Sequence, residues 1–493
     1  MEKNSFWYRA AEMIPGVIGW NLILFPVWGS VVMPTWVAYF VIGFLVFWLY
    51  QSVKGATLSL LGYFKIKANQ KIDWEQRVAK LGIGDREMGH VVIVCSYREP
   101  VEIVEMAIGS LAAQAKNERR RMWVVLALEE RAGKENNQAT IDYFSSRYKD
   151  SFADLLFTVH PGGLEGETAG KHSNEAWAAK WFKTQYASKK KMTIDKLTLT
   201  TCDVDTIFNP RFFTALSWYF WTRSRDEIFW QTPIFWHHNI EKVPSLIRIV
   251  GIIGNAMHLS TIQEPDGLFF NYSCYSAPYK LIDKAGYWDL DMIPEDWHIF
   301  LQTFFTSGGK TKVVPIFLPT IVDAPTGKNW WDAVRNRYNQ SVRHAWGAVD
   351  IAYAISMAKK YTDIPIVTRL LRIYKLIETH MIWSSNWFIL TLGTSLPIIL
   401  NPDFFLTSVG FNLQRISNVI LTICLIPLAV LIWVDWNLRP KGESRNWKRL
   451  VVNLLQWPLM PVATLTMSVL PGLHSHTRLM IGKRLEYKTT KKG

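Results

Sequence analysis

The feature that most limits what this chain can become is a set of uncharged runs, each long enough to cross a bilayer, at both ends of the sequence. They occupy residues 14–32, 34–50, 382–400, 416–434 and 450–470, and a spanning helix needs about 20 apolar residues. A buried core helix produces one such run; several at the two ends of one chain predict a multi-pass integral membrane protein with a polar block between them. The first run is too long, and too soon followed by the second, for a cleavable leader. Of the 493 residues 49% are hydrophobic and only 19% charged, so a large core can be buried with apolar surface left over for lipid.

A formal net charge of +14 would fit a nucleic-acid partner if it formed one patch. Instead the basic residues gather beside the apolar runs, and Arg439, Lys441, Arg445, Lys448 and Arg449 fill the link between the fourth and fifth. Positive charge in short links marks the cytoplasmic side. Residues 53–381 are therefore expected in the cytoplasm, against a plasma (inner) membrane, with no nucleic acid. A single crossing by the fifth run would put the basic tail (Lys483, Arg484, Lys488, Lys491, Lys492) outside, against that rule; Pro458 and Pro461 permit a bent or re-entrant segment instead. Ile366, Leu370, Ile373 and Ile377 share one helical face and Arg369, Arg372 and Lys375 another, the pattern of a helix in the headgroup plane; a packed helix of the soluble block is the alternative. Asn453 and Gln456, polar at bilayer depth, are candidates to line a polar passage. Cys95, Cys202, Cys274 and Cys424 have no paired spacing, which predicts neither a disulfide framework nor a zinc site.

The middle block alternates strand-like and helix-like stretches in the manner of βαβ units. Residues 91–95 read as a buried strand, Pro100 opens a helix with Ile103, Val104, Ala107 and Leu111 on one face, and 123–128 read as the next strand. Such a sheet binds ligands beyond the carboxyl ends of its strands. Ser96, Tyr97, Arg98 and Glu99, then Glu129 and Glu130, fall there, so a nucleotide pocket is expected. A third strand, 196–202, runs into Asp203-Val204-Asp205. Two carboxylates at this spacing can share one hard divalent cation, whose remaining oxygen ligands a diphosphate supplies. A solvated turn has the same spacing, and the position directly after a buried strand favours the metal site.

Glu295 and Asp296 stand among Tyr287, Trp288, Met292, Trp297 and Phe300. Desolvation there raises a carboxylate's pKa and suits it to accept a proton from a sugar hydroxyl; equally, Pro294, Glu295 and Asp296 would complement a helix dipole. Gln340, Arg343 and His344 fall on neighbouring helical positions, with Trp330, Trp331 and Arg337 upstream, and could face a diphosphate or an acceptor sugar. His237, His238 and His298 show no ligand spacing.

Taken in order, these residues resemble the membrane-bound family 2 glycosyltransferases, the group of cellulose, chitin and hyaluronan synthases, over about residues 90–350. The resemblance implies an α/β GT-A (Rossmann-like) domain inserted between transmembrane helices. It implies that Ser96, Tyr97 and Glu99 meet the uridine, and that Glu130 replaces the acidic residue, usually Asp, after the second strand. Gly170, Lys171 and Asn174 would lie near the diphosphate. Asp203 would touch the nucleotide and, with Asp205, hold Mg²⁺ or Mn²⁺. Pro294-Glu295-Asp296 stands for the family's T-E-D motif, which makes Asp296 the base beside Glu295. Gln340, Arg343 and His344 stand for Q-x-x-R-W, with His in place of the acceptor-binding Trp, and Trp297 joins this acceptor and diphosphate side. Gln231-Thr232-Pro233 looks more loosely like a segment preceding the acceptor site.

The implied division is a transmembrane hairpin (1–52), an interfacial linker (53–89), the GT-A catalytic domain (90–350), amphipathic interfacial helices (351–381), further transmembrane helices (382–472) and a basic tail (473–493). The implied activity is inverting transfer of a sugar from a UDP-sugar to a polysaccharide-type acceptor at the cytoplasmic face, with processive export left open. Transfer of one sugar to a lipid acceptor is the alternative, and a non-catalytic binding partner in the bilayer is a third. Accessory or oligomeric subunits stay open.

Overall fold

The computed structural model describes residues 5–82, 88–223, 226–264, 270–440 and 447–485. Among the basic residues read above as orientation signals, Lys441, Arg445, Lys488, Lys491 and Lys492 lie outside the described residues, as do the side chains of Lys448 and Arg449.

Among the described residues nine strands form: β1 (Gly89–Cys95), β2 (Met122–Glu129), β3 (Asp154–His160), β4 (Leu197–Cys202), β5 (Ile228–Gln231), β6 (Ile234–Phe235), β7 (Tyr275–Pro278), β8 (Lys312–Pro315) and β9 (Thr320–Ile321). Seven make one mixed sheet in the order β3-β2-β1-β4-β7-β5-β8, and β6 pairs with β9 apart from it. β1 lies parallel to both β2 and β4, and β7 runs antiparallel to β4 and β5. The Val-Ile run of β1 has no polar face because helices cover both of its sides. Val91 and Ile93 join a core with Ala176, Ala179, Phe300 and Ile351, whereas Val92 and Val94 join another with Val104, Ile108, Phe213 and Phe220. This is the Rossmann-like α/β sheet expected of a GT-A domain.

Strand order fixes where a ligand can go. The chain moves outward from β1 through β2 to β3, then returns to lay β4 on the opposite side of β1. The crevice beyond the carboxyl ends of β1 and β4 is thus a topological switch point, the place where open α/β sheets bind ligands. Ser96 and Asp203 emerge there.

Among the described residues four helices are long and apolar enough to cross a membrane: Phe6–Val32, Pro34–Asn69, Ser408–Leu438 and Val451–Met480. The expected run at 382–400 does not make a fifth. One helix, Ile366–Thr391, passes through the boundary placed at 381, and a separate short helix, Leu396–Leu400, follows. The basic stripe of that helix also departs from the headgroup reading. Arg372 is 5% exposed and its guanidinium lies over the rings of Phe270, Phe300 and Phe304 at 5.6, 4.9 and 5.0 Å. Lys375 pairs with Glu264 at 3.2 Å. Aromatic faces and a carboxylate of the middle block draw these cations inward, leaving Ile366 and Leu370 exposed.

Polar groups tie the middle block to the C-terminal helices. Asp435, fully buried, accepts from His237 Nε2 at 2.8 Å, from Asn255 at 2.9 Å and from Arg439 at 2.8 and 2.9 Å. Glu241 pairs with Arg439 and, at 3.3 Å, with Arg248. Asn453 is buried against Arg248 at 3.3 Å, and Gln456 is buried as well. These two polar residues face protein. The four cysteines carry free thiols.

Candidate active site

The three polar clusters of the sequence meet in one cavity of about 460 Å³ at the switch point. Its walls include Ser96, Tyr97, Glu99, Lys171, Asp203, Asp205, Glu295, Asp296, Trp297, Gln340, Arg343 and His344. Three chain segments more than forty residues apart in sequence therefore share one space because β1, β4 and two helix termini end at it.

Loop geometry after β1 is set by Glu99, whose carboxylate accepts from the Ser96 hydroxyl at 3.0 Å and from the Tyr97 amide. The turn holds Arg98 at φ +60°. The Tyr97 ring is covered by the guanidinium of Arg131 at 4.9 Å, and Arg131 pairs with Glu129. Glu129, the last residue of β2, is on the cavity wall. Glu130 is not among the lining residues: it begins the next turn, and its carboxylate accepts from the Gly162 amide at 2.8 Å. The residue the sequence reading chose is displaced from the cavity by one position, because consecutive side chains at a strand end leave on opposite sides.

Lys171 begins helix Lys171–Trp181 and reaches into the centre of the carboxylates. Its ammonium is 3.2 Å from Asp203, 3.4 Å from Glu295 and 3.5 Å from Glu175. Burial alone would lower its pKa, but Asp203, Glu175, Asp296 and Glu295 outweigh that and hold it well above the ordinary value. Asn174, three residues on, is fully buried and donates to the Ala127 carbonyl of β2 at 2.8 Å, so it anchors the helix to the sheet.

Asp203 is 31% exposed at its side chain, whereas Asp205 is completely buried and accepts from the Asp323 amide at 3.0 Å. Oxygen donors of this kind suit a hard divalent cation. Among the described residues no group of three or more His, Cys, Asp or Glu encloses such an ion. A cation held by Asp203 and Asp205 would take its other ligands from a bound molecule.

Glu295 and Asp296 open helix Glu295–Thr306, so the dipole reading and the cavity reading both hold. Asp296 Oδ2 accepts from the Ser273 amide at 2.7 Å, while Oδ1 is buried with no hydrogen-bond partner. Burial pushes the Asp296 carboxyl up to about 7; Lys171 opposes the rise and Glu295 adds to it. Glu175, deeper, is pushed up to about 8, first by burial.

Sequence reasoning missed Ser273. It sits at φ +59°, where a side chain is rarely accommodated. Its amide holds Asp296 and its hydroxyl donates to Asp203 at 3.2 Å, so one residue bridges the two acidic clusters. Gln231 fixes that bridge: its amide group accepts from Tyr272 N at 3.0 Å and donates to the Cys274 carbonyl at 2.9 Å, one residue to either side. Gln231 is thus a clamp on Ser273 and is fully buried. Nothing in the string of letters marks Ser273; only the positive φ does.

The last wall is helix Trp330–Ala345, whose cavity side carries Arg337, Gln340, Arg343 and His344. The three histidines without ligand spacing prove to be hydrogen-bonded to carboxylates: His237 to Asp435, His238 to Asp323 at 2.6 Å, and His298 to Asp350 at 2.6 Å and Asp289 at 2.9 Å.

No protein-family model matches the chain, and no curated protein matches it. Two solved structures that resemble it are "GalNAc-T7 with UDP, GalNAc and Mn2+", at TM-score 0.35 and 10% identity over 60% of this chain, and "S. aureus TarS 1-349 in complex with UDP-GlcNAc", at TM-score 0.31 and 13% identity over 67% of this chain. The chain spans 59% of the first and 91% of the second.

Proposed function

We propose that the chain is an inverting glycosyltransferase that moves a sugar from a UDP-sugar to a polysaccharide-type acceptor at the cytoplasmic face of a membrane. The observation that carries this reading is the bridge at Ser273, which holds Asp203 of the D-x-D motif and Asp296 of the second acidic cluster on one residue. A leaving-group site and a base have to stand this close for a single displacement.

In this reading Ser96, Tyr97 and Glu99 take the uridine, with Glu129 as the acidic neighbour, and Asp203 with Asp205 would hold Mg²⁺ or Mn²⁺. Such an ion, when bound, would supply charge neutralisation for the diphosphate. Lys171 and Arg343 add fixed positive charge to the same group. The unpartnered oxygen of Asp296 takes the proton from the attacking hydroxyl, and the Ser273 amide keeps the carboxylate turned toward it. Gln340, His344 and Trp297, which also line the cavity, take the acceptor side in this reading.

A second reading, transfer of one sugar to a lipid, is favoured by an apolar part of the cavity wall. Ile234, Trp236, Val250, Gly251 and Gly254 line it, and helix Ser245–Thr261, which supplies three of them, packs against the long apolar helices Pro34–Asn69 and Leu425–Leu438. Membranes carrying the full chain, incubated with a panel of UDP-sugars and Mg²⁺ or Mn²⁺, test both readings by product mass. Sugar transfer to a polymer or a lipid supports the proposal and separates its two forms; no turnover of any UDP-sugar overturns it.

A further inference from the structure

Arg337 is a cation in the cavity that the sequence motifs do not use. It stands six residues before Arg343 on helix Trp330–Ala345, so the two guanidiniums are rooted about 9 Å apart along the axis. Its environment is unusual for an arginine at a protein wall. Nη1 donates to Gln340 Oε1 at 3.1 Å, the guanidinium lies over the Trp236 ring at 5.0 Å, and Nε is buried with no hydrogen-bond partner. Among the described residues no carboxylate pairs with it, although Asp203, Asp205, Glu295 and Asp296 line the same cavity, where Asp203 and Glu295 pair with Lys171 instead. Burial lowers its pKa to about 10, with no acid offsetting the cost, yet at neutral pH it stays charged. A half-buried cation in a cavity with no carboxylate paired to it leaves the counter-charge to be supplied by a ligand. The ring under that charge, Trp236, packs against Gly251 of helix Ser245–Thr261, which packs on the long apolar helices, and both residues line the cavity.

We infer that Arg337 binds an anionic group carried by the acceptor, and that the acceptor is a lipid with a phosphodiester beside a free hydroxyl. This rests on the proposed glycosyltransferase reading and selects its lipid form. The fork of donors on Arg337 matches two phosphate oxygens, and the apolar wall takes the start of the acyl region. In the transfer the bond from the sugar's anomeric carbon to the UDP oxygen breaks and a bond to the headgroup hydroxyl oxygen forms. The hydroxyl proton passes to Asp296 and the electron pair leaves with UDP. The phosphodiester itself is unchanged.

The test is calorimetry on the full chain in detergent, titrated with dihexanoyl-phosphatidylglycerol, dihexanoyl-phosphatidylcholine, glycerol phosphate and, separately, UDP with Mn²⁺. The wild type is expected to bind the phosphatidylglycerol in preference to the zwitterionic lipid and to glycerol phosphate. Arg337→Gln weakens the phosphatidylglycerol about tenfold or more, the loss of a charge-assisted contact, Arg337→Lys weakens it less, and both keep wild-type UDP affinity, which also shows that they fold. Asp203→Asn is expected to do the reverse, losing UDP and keeping the lipid. Equal lipid affinity in wild type and Arg337→Gln overturns the inference, as does equal binding of glycerol phosphate, which would place the anion on a soluble molecule. Absence of UDP binding in the wild type instead overturns the glycosyltransferase reading beneath it.

Discussion

Asp296 concentrates the chemistry of the site at one residue. Its carboxyl is pushed up to about 7 by burial, so below that pH it carries a proton and cannot accept another. The proposed transfer is therefore expected to rise with pH, with log kcat/KM against pH gaining unit slope below about 7 and flattening above; a flat profile from pH 5.5 to 8 would remove Asp296 from the role. Asp296→Asn keeps the shape and loses the proton acceptor, and is expected to reduce turnover by about 10²- to 10⁴-fold with UDP affinity retained, as radiolabelled-donor assays and UDP titration would read. Much of this residue-level site was legible: D-x-D and the acidic pair announced themselves by their chemistry and by their place after a strand and at a helix start. Ser273 was not legible, and Gln231 was read only as part of a segment preceding the acceptor site and not as the clamp on Ser273, because a backbone amide held at φ +59° and a buried side-chain clamp leave no compositional trace. Which of the adjacent acids Glu129 and Glu130 lines the cavity was not legible either, because it depends on where β2 stops, and it stops at Glu129.

Elements hold the site through a few buried charges. Helix Glu295–Thr306, which carries Asp296, is tied to helix Val349–Lys360 by His298, set between Asp350 and Asp289. Burial would lower the His298 pKa, but the two carboxylates dominate and raise it to about 9. The unfolded value is near 6.5, so the stability this pair adds is complete below about pH 6.5 and is lost as pH rises through about 9. Melting of the detergent-solubilised chain is expected to fall over that window, by on the order of 3 kcal/mol for the shift involved. His298→Gln is expected to be less stable at pH 6 and to show a flatter pH dependence; an unchanged slope would contradict the assignment. Strand and helix order were readable from apolar periodicity, as the alternation of β1 between two cores shows. The inward turn of Arg372 was not, since a helical wheel gives faces and not what each face meets.

At the scale of the whole molecule, the sheet and the long apolar helices are joined by the buried network around Asp435. His237, Asn255 and Arg439 all converge on it, and Asn255 also lines the cavity and accepts from the Trp236 amide at 3.0 Å. Asp435→Ala leaves these groups without their shared acceptor. A loss of roughly 3–5 kcal/mol is expected, measured by thermal unfolding in detergent, and a change below about 1 kcal/mol would show that the joint is held elsewhere. The sequence announced long apolar runs at both ends and a polar block between; it did not announce this joint, because His237 and Asp435 are separated by nearly two hundred residues.

The central claim is that one cavity grips a metal-bridged nucleoside diphosphate beside a carboxylate that accepts a proton. Titration of the wild-type chain with UDP, with and without saturating Mn²⁺, tests it most directly. The account predicts metal-dependent binding that Asp203→Asn abolishes and Asp296→Asn leaves intact. No measurable affinity for UDP in the wild type at saturating Mn²⁺, or binding indifferent to both the metal and Asp203, would contradict it.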